Sequence, residues 1–133
     1  MKKTKMTLVS AAALLMLATM FQSAKPEEVM TKQDGMYVIN TTTLGKKVTG
    51  YVGATPLKVY IKKNKVVKIE ALKNQETPKF FAKVKREMLN KWNDMKVNDA
   101  LNAKVDGVTG ATFSSEAVKD NVRLALEYYK KNK

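Results

Sequence analysis

The hydrophobic pattern of this chain changes its period once, near Asn74, and this change limits the folds open to it. Before Asn74, apolar and polar residues alternate as they do in half-buried strands, most clearly at residues 57–62. After Asn74, apolar residues recur every three or four positions, as on one face of a helix. Strands followed by helices predict an α+β fold: a small antiparallel sheet with helices packed on one side.

The strand region divides into three parts. Residues 36–39 predict a first strand, and residues 44–47 predict a turn and a return strand. Residues 57–62 predict a strand that is followed by a turn at Lys63 and Asn64. In the strand after that turn, the alternation predicts an inward face formed by Val67, Ile69 and Ala71.

Two helices are predicted in the second half of the chain. Thr77 is placed as the N-cap of the first, with Pro78 at its first position, and its buried stripe is Phe81, Val84, Met88, Trp92 and Met95. The last helix is predicted over residues 115–130, with a buried stripe at Val118, Val122, Ala125 and Tyr129. Between the helices, residues 97–104 are predicted to be a polar connection.

The composition excludes several kinds of chemistry. The chain has neither Cys nor His, so disulfides, thiolate or His-ligated metals, haem held by His and Ser-His-Asp catalysis are ruled out. Its 25 Lys and Arg against 12 Asp and Glu give a formal net charge of +13, which favours acidic surroundings or partners. We therefore expect that any redox or group-transfer chemistry comes from a cofactor.

The N-terminus has the pattern of a secretory signal peptide. Three lysines precede an apolar stretch at residues 6–21, and small residues follow it up to Ala24. We expect residues 1–24 to be a signal peptide or, if uncleaved, a membrane anchor. Residues 25–34 are predicted to be a flexible lead-in, and residues 35–133 to form a single domain.

Residues 105–115 combine two glycines with several hydroxyl side chains just before the last predicted helix. Gly107 and Gly110 permit a tight turn, and the N-terminus of a helix offers unpaired N–H groups and a positive dipole end to a phosphate. An ordinary N-cap after a Gly-rich turn would use the same residue types. Local chemistry alone leaves both interpretations open.

The run Asp106-Gly107-Val108-Thr109-Gly110-Ala111-Thr112 resembles the flavinylation motif D-x-x-S/T-G-A-S/T of the FMN-binding domain family. That family includes the extracytoplasmic FMN-carrying subunits of bacterial sodium-translocating quinone reductases and of Rnf-type electron-transport complexes. The resemblance implies covalent FMN, joined through its phosphate to the hydroxyl of Thr112. It also implies a magnesium-dependent flavin transferase that uses FAD as the donor.

The resemblance extends over residues 35–128. Residues 50–59 and 65–69 are similar to a glycine-containing loop and paired strands of the family, and Glu76-Thr77-Pro78 resembles its E-T-P-G element. That element implies that Thr77 and Phe80 contact the isoalloxazine ring. Lys79 stands where the family pattern has glycine.

The resemblance also assigns roles to the other motif residues. Gly110 and Ala111 would leave the approach to the phosphate open, and Asp106 would be read by the transferase or its magnesium, or would form an Asx turn. The hydroxyls expected to donate hydrogen bonds to the phosphate are those of Thr109, Ser114 and Ser115, with helix capping as the alternative role for Ser114 or Ser115. Among the aromatic residues, Phe80 and Phe113 are expected at the site because they flank the two motif segments, with Tyr51 as a weaker candidate.

The function these features predict is that of an exported, periplasmic or cell-envelope electron carrier rather than a complete enzyme. Its expected partners are a flavin transferase and membrane or extracytoplasmic redox proteins. Nucleic acid is disfavoured by the export signal and by the presence of only two arginines. Two alternatives stay open: a protein that binds FMN non-covalently, and a basic, cofactor-free module that binds anionic envelope components.

Overall fold

The structure is a computed structural model that describes residues 28–133. The predicted signal peptide and the first residues of the lead-in lie outside this range. Within residues 28–133, none of the helices combines the length and the apolar character needed to cross a membrane.

The strands form one antiparallel sheet in chain order: β1 (Met30–Gln33), β2 (Met36–Asn40), β3 (Leu57–Lys62) and β4 (Lys65–Ala71). Both tight turns place their two central residues at positive φ, Asp34 and Gly35 in one and Lys63 and Asn64 in the other. This is the geometry that suits the twist of a two-residue hairpin. The predicted α+β fold is confirmed, but strand β1 lies within the segment predicted to be a flexible lead-in.

The prediction for β4 is wrong at Val67. Tyr60 pairs with Lys68 while the next residue of β3, Ile61, pairs with Val66, so Val67 is an extra residue at a β-bulge. The bulge turns Val66 and Ile69 into the core and leaves Val67 exposed. Strict alternation from the turn onward could not locate it.

The predicted return strand is also wrong, because the Thr-rich segment forms a short helix, α1 (Thr41–Leu44). Asn40 caps it: its side-chain Oδ1 accepts a hydrogen bond of 2.9 Å from the Thr42 N–H. The Gly45 N–H then closes the helix on the Thr41 carbonyl. A capped turn therefore carries the chain away from the sheet before it reaches β3.

The remaining helices are α2 (Pro78–Glu87), α3 (Val97–Asn102) and α4 (Thr112–Asn132), and a 3-10 turn at Leu89–Trp92 follows α2. The predicted stripe of α2 is buried at its first four positions, although the helix ends at Glu87 and the 3-10 turn carries Trp92 inward. The segment predicted to be a polar connection contains α3, whose Val97 and Ala100 are buried.

The core lies between one face of the sheet and the helices. Ile39, Val59 and Ile61 of the sheet belong to the same buried cluster as all four predicted residues of the last helix. Helix α4 packs against β2 and β3, and the Tyr129 ring meets Tyr37 edge-on at 5.4 Å between centroids. Helix α4 begins at Thr112, three residues before the predicted start, and this changes the geometry of the site described below.

Gly45 offers a direct test of the packing between α1 and α4. A Cβ at this position would lie 1.9 Å from Oδ1 of the fully buried Asn121. We expect Gly45→Ala to lower the free energy of unfolding by about 2 kcal/mol in urea denaturation, because the core has no room for the methyl group. Gly53→Ala is the control, since its Cβ meets nothing within 4 Å. Equal loss in both variants would contradict this account.

Candidate functional site

A cavity of about 230 Å³ opens where α2 and α4 begin and where the Gly50–Gly53 loop approaches them. Its lining is mostly apolar or aromatic and includes backbone from the Gly-rich turn before α4: Tyr51, Thr77, Phe80, Gly110, Ala111, Thr112, Phe113 and Ser114. The Tyr51 and Phe113 rings lie 6.1 Å apart at one side. We call this space the apolar cavity.

A second hollow, of about 400 Å³, lies against the same turn. We call it the polar hollow, because its lining is rich in hydroxyl and backbone groups: Gly107, Val108, Thr109, Gly110, Thr112, Ser115 and Glu116. Gly110 and Thr112 line both spaces. Thr112 is the one described residue that lines both spaces and also carries a side-chain hydroxyl.

The N-terminus of α4 lies at this border and has no side-chain cap. Ala111 is the N-cap residue and its methyl group accepts no hydrogen bond, while the first intrahelical bond is donated by the Ser115 N–H. The N–H groups of Thr112, Phe113 and Ser114 therefore have no helical acceptor. Gly110, with φ of +85°, makes the turn that leads into the helix. Three free donors and the positive end of a 21-residue helix suit a phosphate.

Glu76 joins the parts of the apolar cavity. Its carboxylate is buried and accepts hydrogen bonds from the Tyr51 N–H at 2.7 Å, the Val52 N–H at 2.6 Å and the Ser114 hydroxyl at 2.9 Å. A Cβ on Gly50 would lie 1.7 Å from its Oε1, so glycine is required at that position. One side chain thus fixes the loop, the start of α2 and the first turn of α4 against each other.

The structure brings most of the residues predicted from the sequence together. Six of them line the apolar cavity: Thr77, Phe80, Gly110, Ala111, Thr112 and Ser114. Thr109 and Ser115 line the polar hollow. Asp106 lines neither space, is exposed, and accepts no hydrogen bond within residues 28–133, so the alternative Asx turn is not formed there. Its carboxylate is accessible from solvent.

The prediction that Ser114 donates to a phosphate needs correction, because its hydroxyl donates to the Glu76 carboxylate. Ser115 differs: its Oγ accepts a 2.9 Å hydrogen bond from the Val108 N–H, which leaves its own proton uncommitted beside the polar hollow. Close packing against Ser115 also explains why residue 107 is glycine, because a Cβ at this position would lie 3.0 Å from the Ser115 Cβ.

Thr77 occupies the N-cap position of α2, but its side chain makes no capping hydrogen bond. The predicted N-cap position is therefore confirmed, but the Thr77 hydroxyl does not cap the helix. Thr77 lines the apolar cavity, and its hydroxyl has no hydrogen-bond partner among the described residues. Pro78 begins the helix as predicted, which places Lys79 in ordinary helical geometry and Phe80 at the cavity.

Sequence reasoning missed the role of Glu76. The sequence identifies the residue only as part of a motif, because its partners are 24 to 38 residues away in the chain. The available signal was an acidic residue directly before Thr77 and Pro78 in a chain dominated by lysine. Tyr51, a weaker candidate from sequence, lies at the cavity together with Phe113.

Comparison with known proteins gives one match. The family model described as FMN-binding domain matches residues 50–127, which is more than half of the chain. The matched range includes the loop at Gly50, residues 76–78 and the turn before α4. Neither a search of curated proteins nor a search of solved structures found a match.

Proposed function

The chain belongs to the FMN-binding domain family, and we propose that it carries FMN covalently, as a phosphoester on Thr112, and acts as an exported electron carrier. The observation that supports the proposal is that Thr112 lines both the apolar cavity and the polar hollow. A tether at this residue allows the phosphate to lie in the hollow and the ring in the cavity.

The residues of each space fit the part of FMN assigned to it. The polar hollow supplies the free N–H groups of α4 and the Thr109 and Ser115 hydroxyls to a phosphate. Glu116, the one acidic residue lining that hollow, pairs with Lys119 at 3.2 Å, which offsets its charge. The apolar cavity supplies the aromatic faces of Tyr51, Phe80 and Phe113 to an isoalloxazine ring.

The size of the apolar cavity supports a carrier. Its volume of about 230 Å³ is below the ~300–1,000 Å³ of pockets that enclose a whole drug-sized ligand. A ring held there would keep part of its surface open to a partner. The chemistry of electron transfer belongs to the flavin, while the protein's own residues fix its position and exclude water from one face.

Attachment requires a second protein, a flavin transferase that uses FAD. In this step the Thr112 hydroxyl loses its proton, its oxygen forms a bond to the phosphorus of the FMN half, and the bond from that phosphorus to AMP breaks. The exposed carboxylate of Asp106 is available for recognition by the transferase or its magnesium. Maturation outside the cytoplasm, after export directed by residues 1–24, is part of the same proposal.

The test is co-expression of the protein with a flavin transferase, followed by intact-mass spectrometry and flavin fluorescence in a denaturing gel. We expect a fluorescent band and the added mass of one FMN less one water, mapped to a peptide that contains Thr112. Yellow protein that loses its colour on denaturation would instead support non-covalent binding. A colourless, unmodified protein from active maturation machinery would contradict the proposal.

A further inference from the structure

The exposed apolar residues of the protein are concentrated at one place. Large exposed hydrophobic side chains in residues 28–133 are Tyr51, Val52, Val67, Phe80 and Phe113, and all except Val67 lie at or next to the apolar cavity. Tyr51 is 73% exposed and Phe113 is 64% exposed. We call Tyr51, Val52, Phe80 and Phe113 the apolar rim. Clustered exposed apolar side chains of this kind are typical of interaction sites.

A row of positive charge runs beside the apolar rim on α2. Lys79, Lys83 and Arg86 are exposed, and their spacings of four and three residues place them along one face of the helix. We call these three residues the cationic strip. Phe80 of the rim directly follows Lys79, so rim and strip are adjacent.

The strip carries charge that no ion pair neutralises, a property it shares with many other described lysines but not with Lys68, Lys119 or Arg123. Within residues 28–133 none of its three side chains forms an ion pair, whereas Arg123 pairs with both Asp120 and Glu127 on α4. Lys68 and Lys119 also have carboxylate partners. The charge of the strip is therefore available to a partner.

We propose that the apolar rim and the cationic strip together form the docking surface for an acidic redox protein. This inference rests on the proposed function, because the rim surrounds the cavity assigned to the flavin ring. An apolar centre beside a charged border is the usual anatomy of a protein–protein interface. Positive charge next to the centre would steer a partner of opposite charge towards the opening of the cavity.

The arrangement of α2 favours a protein partner over a lipid surface. Helices that lie in a membrane interface direct a broad apolar face into the lipid, opposite their cations. In α2 that face is already used, because Phe81 and Val84 are buried in the core, and Met88, the residue after the helix, is buried as well. Of α2 itself only Phe80 is left to insert. The other aromatic residues of the rim, Tyr51 and Phe113, line the cavity assigned to the flavin ring, where a redox partner has to approach.

The test measures binding of the flavin-free protein to oxidised flavodoxin, a small acidic redox protein, by ¹⁵N amide shifts in NMR. We expect shifts confined to the rim, the strip and their neighbours, and no binding to the basic protein cytochrome c. Raising the salt from about 20 to about 200 mM should weaken binding roughly tenfold, because screening acts on exposed charges. Lys83→Glu/Arg86→Glu should weaken it by a similar factor at low salt.

Lys130→Glu/Lys131→Glu is the matched control, because it changes the net charge equally at two exposed residues. These lysines lie at the far end of α4, about 27 Å along its axis from Thr112 at ~1.5 Å per residue. We expect this variant to bind within about twofold of the wild type, because charges this far away are screened. The amide spectra verify that both variants are folded.

Three outcomes would overturn the docking proposal. One is equal weakening in both charge variants, which would show that net charge alone attracts flavodoxin. Another is a set of shifts away from the rim and the strip. The third is that phosphatidylglycerol vesicles bind the wild-type protein but not Lys83→Glu/Arg86→Glu, while flavodoxin binds neither protein. Because the protein in this test carries no flavin, failure of flavin attachment and failure of docking are observed separately.

Discussion

Thr112→Val is expected to give a folded protein that carries no covalently bound flavin after co-expression with a flavin transferase. Thr112 is exposed and its hydroxyl makes no hydrogen bond within residues 28–133, so the substitution removes no internal hydrogen bond. Valine keeps the β-branched shape at the first position of α4. Intact mass and fluorescence in a denaturing gel should show loss of essentially all of the adduct, because the attacking oxygen is gone.

Two further variants make this result specific. Thr112→Ser retains a hydroxyl on Cβ of the same residue and should retain modification. Thr109→Val removes the other threonine hydroxyl of the turn and should reduce modification less, because Thr109 lines the polar hollow but not the apolar cavity. The full adduct mass in Thr112→Val would exclude this attachment site and leave the cavity as a non-covalent flavin site.

Much of the fold follows from the sequence because most elements bury a regular stripe. The alternation at residues 57–62 corresponds to β3, and the spacing from Phe81 to Trp92 corresponds to α2 and its 3-10 turn. The errors occur where local hydrogen bonding or pairing overrides the pattern. Asn40 caps α1 through its side chain, and the bulge at Val67 depends on the register of a neighbouring strand. Neither effect is visible in the period of hydrophobicity.

The candidate site also has one part that could be predicted from the sequence and another that could not. Residues 105–115 are contiguous, so the turn before α4 could be placed from the sequence, although the helix begins three residues earlier than predicted. This earlier start places Ser114 inside the first turn, where its hydroxyl reaches Glu76. The meeting of Tyr51, Glu76 and Ser114 requires the complete fold, because β3, β4 and α2 lie between them in the chain. Only the tertiary structure shows that Glu76 connects the parts of the cavity.

Glu76→Gln is expected to lower the free energy of unfolding by about 2 kcal/mol, because a hydrogen bond to a buried carboxylate is lost and a backbone donor is left facing an NH₂ group. The two carboxylate oxygens accept from different backbone N–H groups, Oε1 from Tyr51 and Oε2 from Val52. A glutamine of the same size has one oxygen, and in either orientation its NH₂ group faces one of these donors. At ~4–8 °C per kcal/mol for a domain of this size, the midpoint of thermal unfolding should fall by about 10 °C.

A measurement at the Tyr51 loop distinguishes the role of Glu76 from a general loss of stability. Hydrogen exchange at the Tyr51 and Val52 amides should accelerate more in Glu76→Gln than exchange in the core strands, because the loop loses its acceptor while β3 keeps its pairing. Ser114→Ala removes only the third hydrogen bond and should cost about 1 kcal/mol. Glu70→Gln, at an exposed carboxylate paired with Lys68, should change stability by less than about 0.5 kcal/mol. If Glu76→Gln unfolds like the wild type and its loop amides exchange at the same rate, Glu76 does not hold the Tyr51 loop over the cavity.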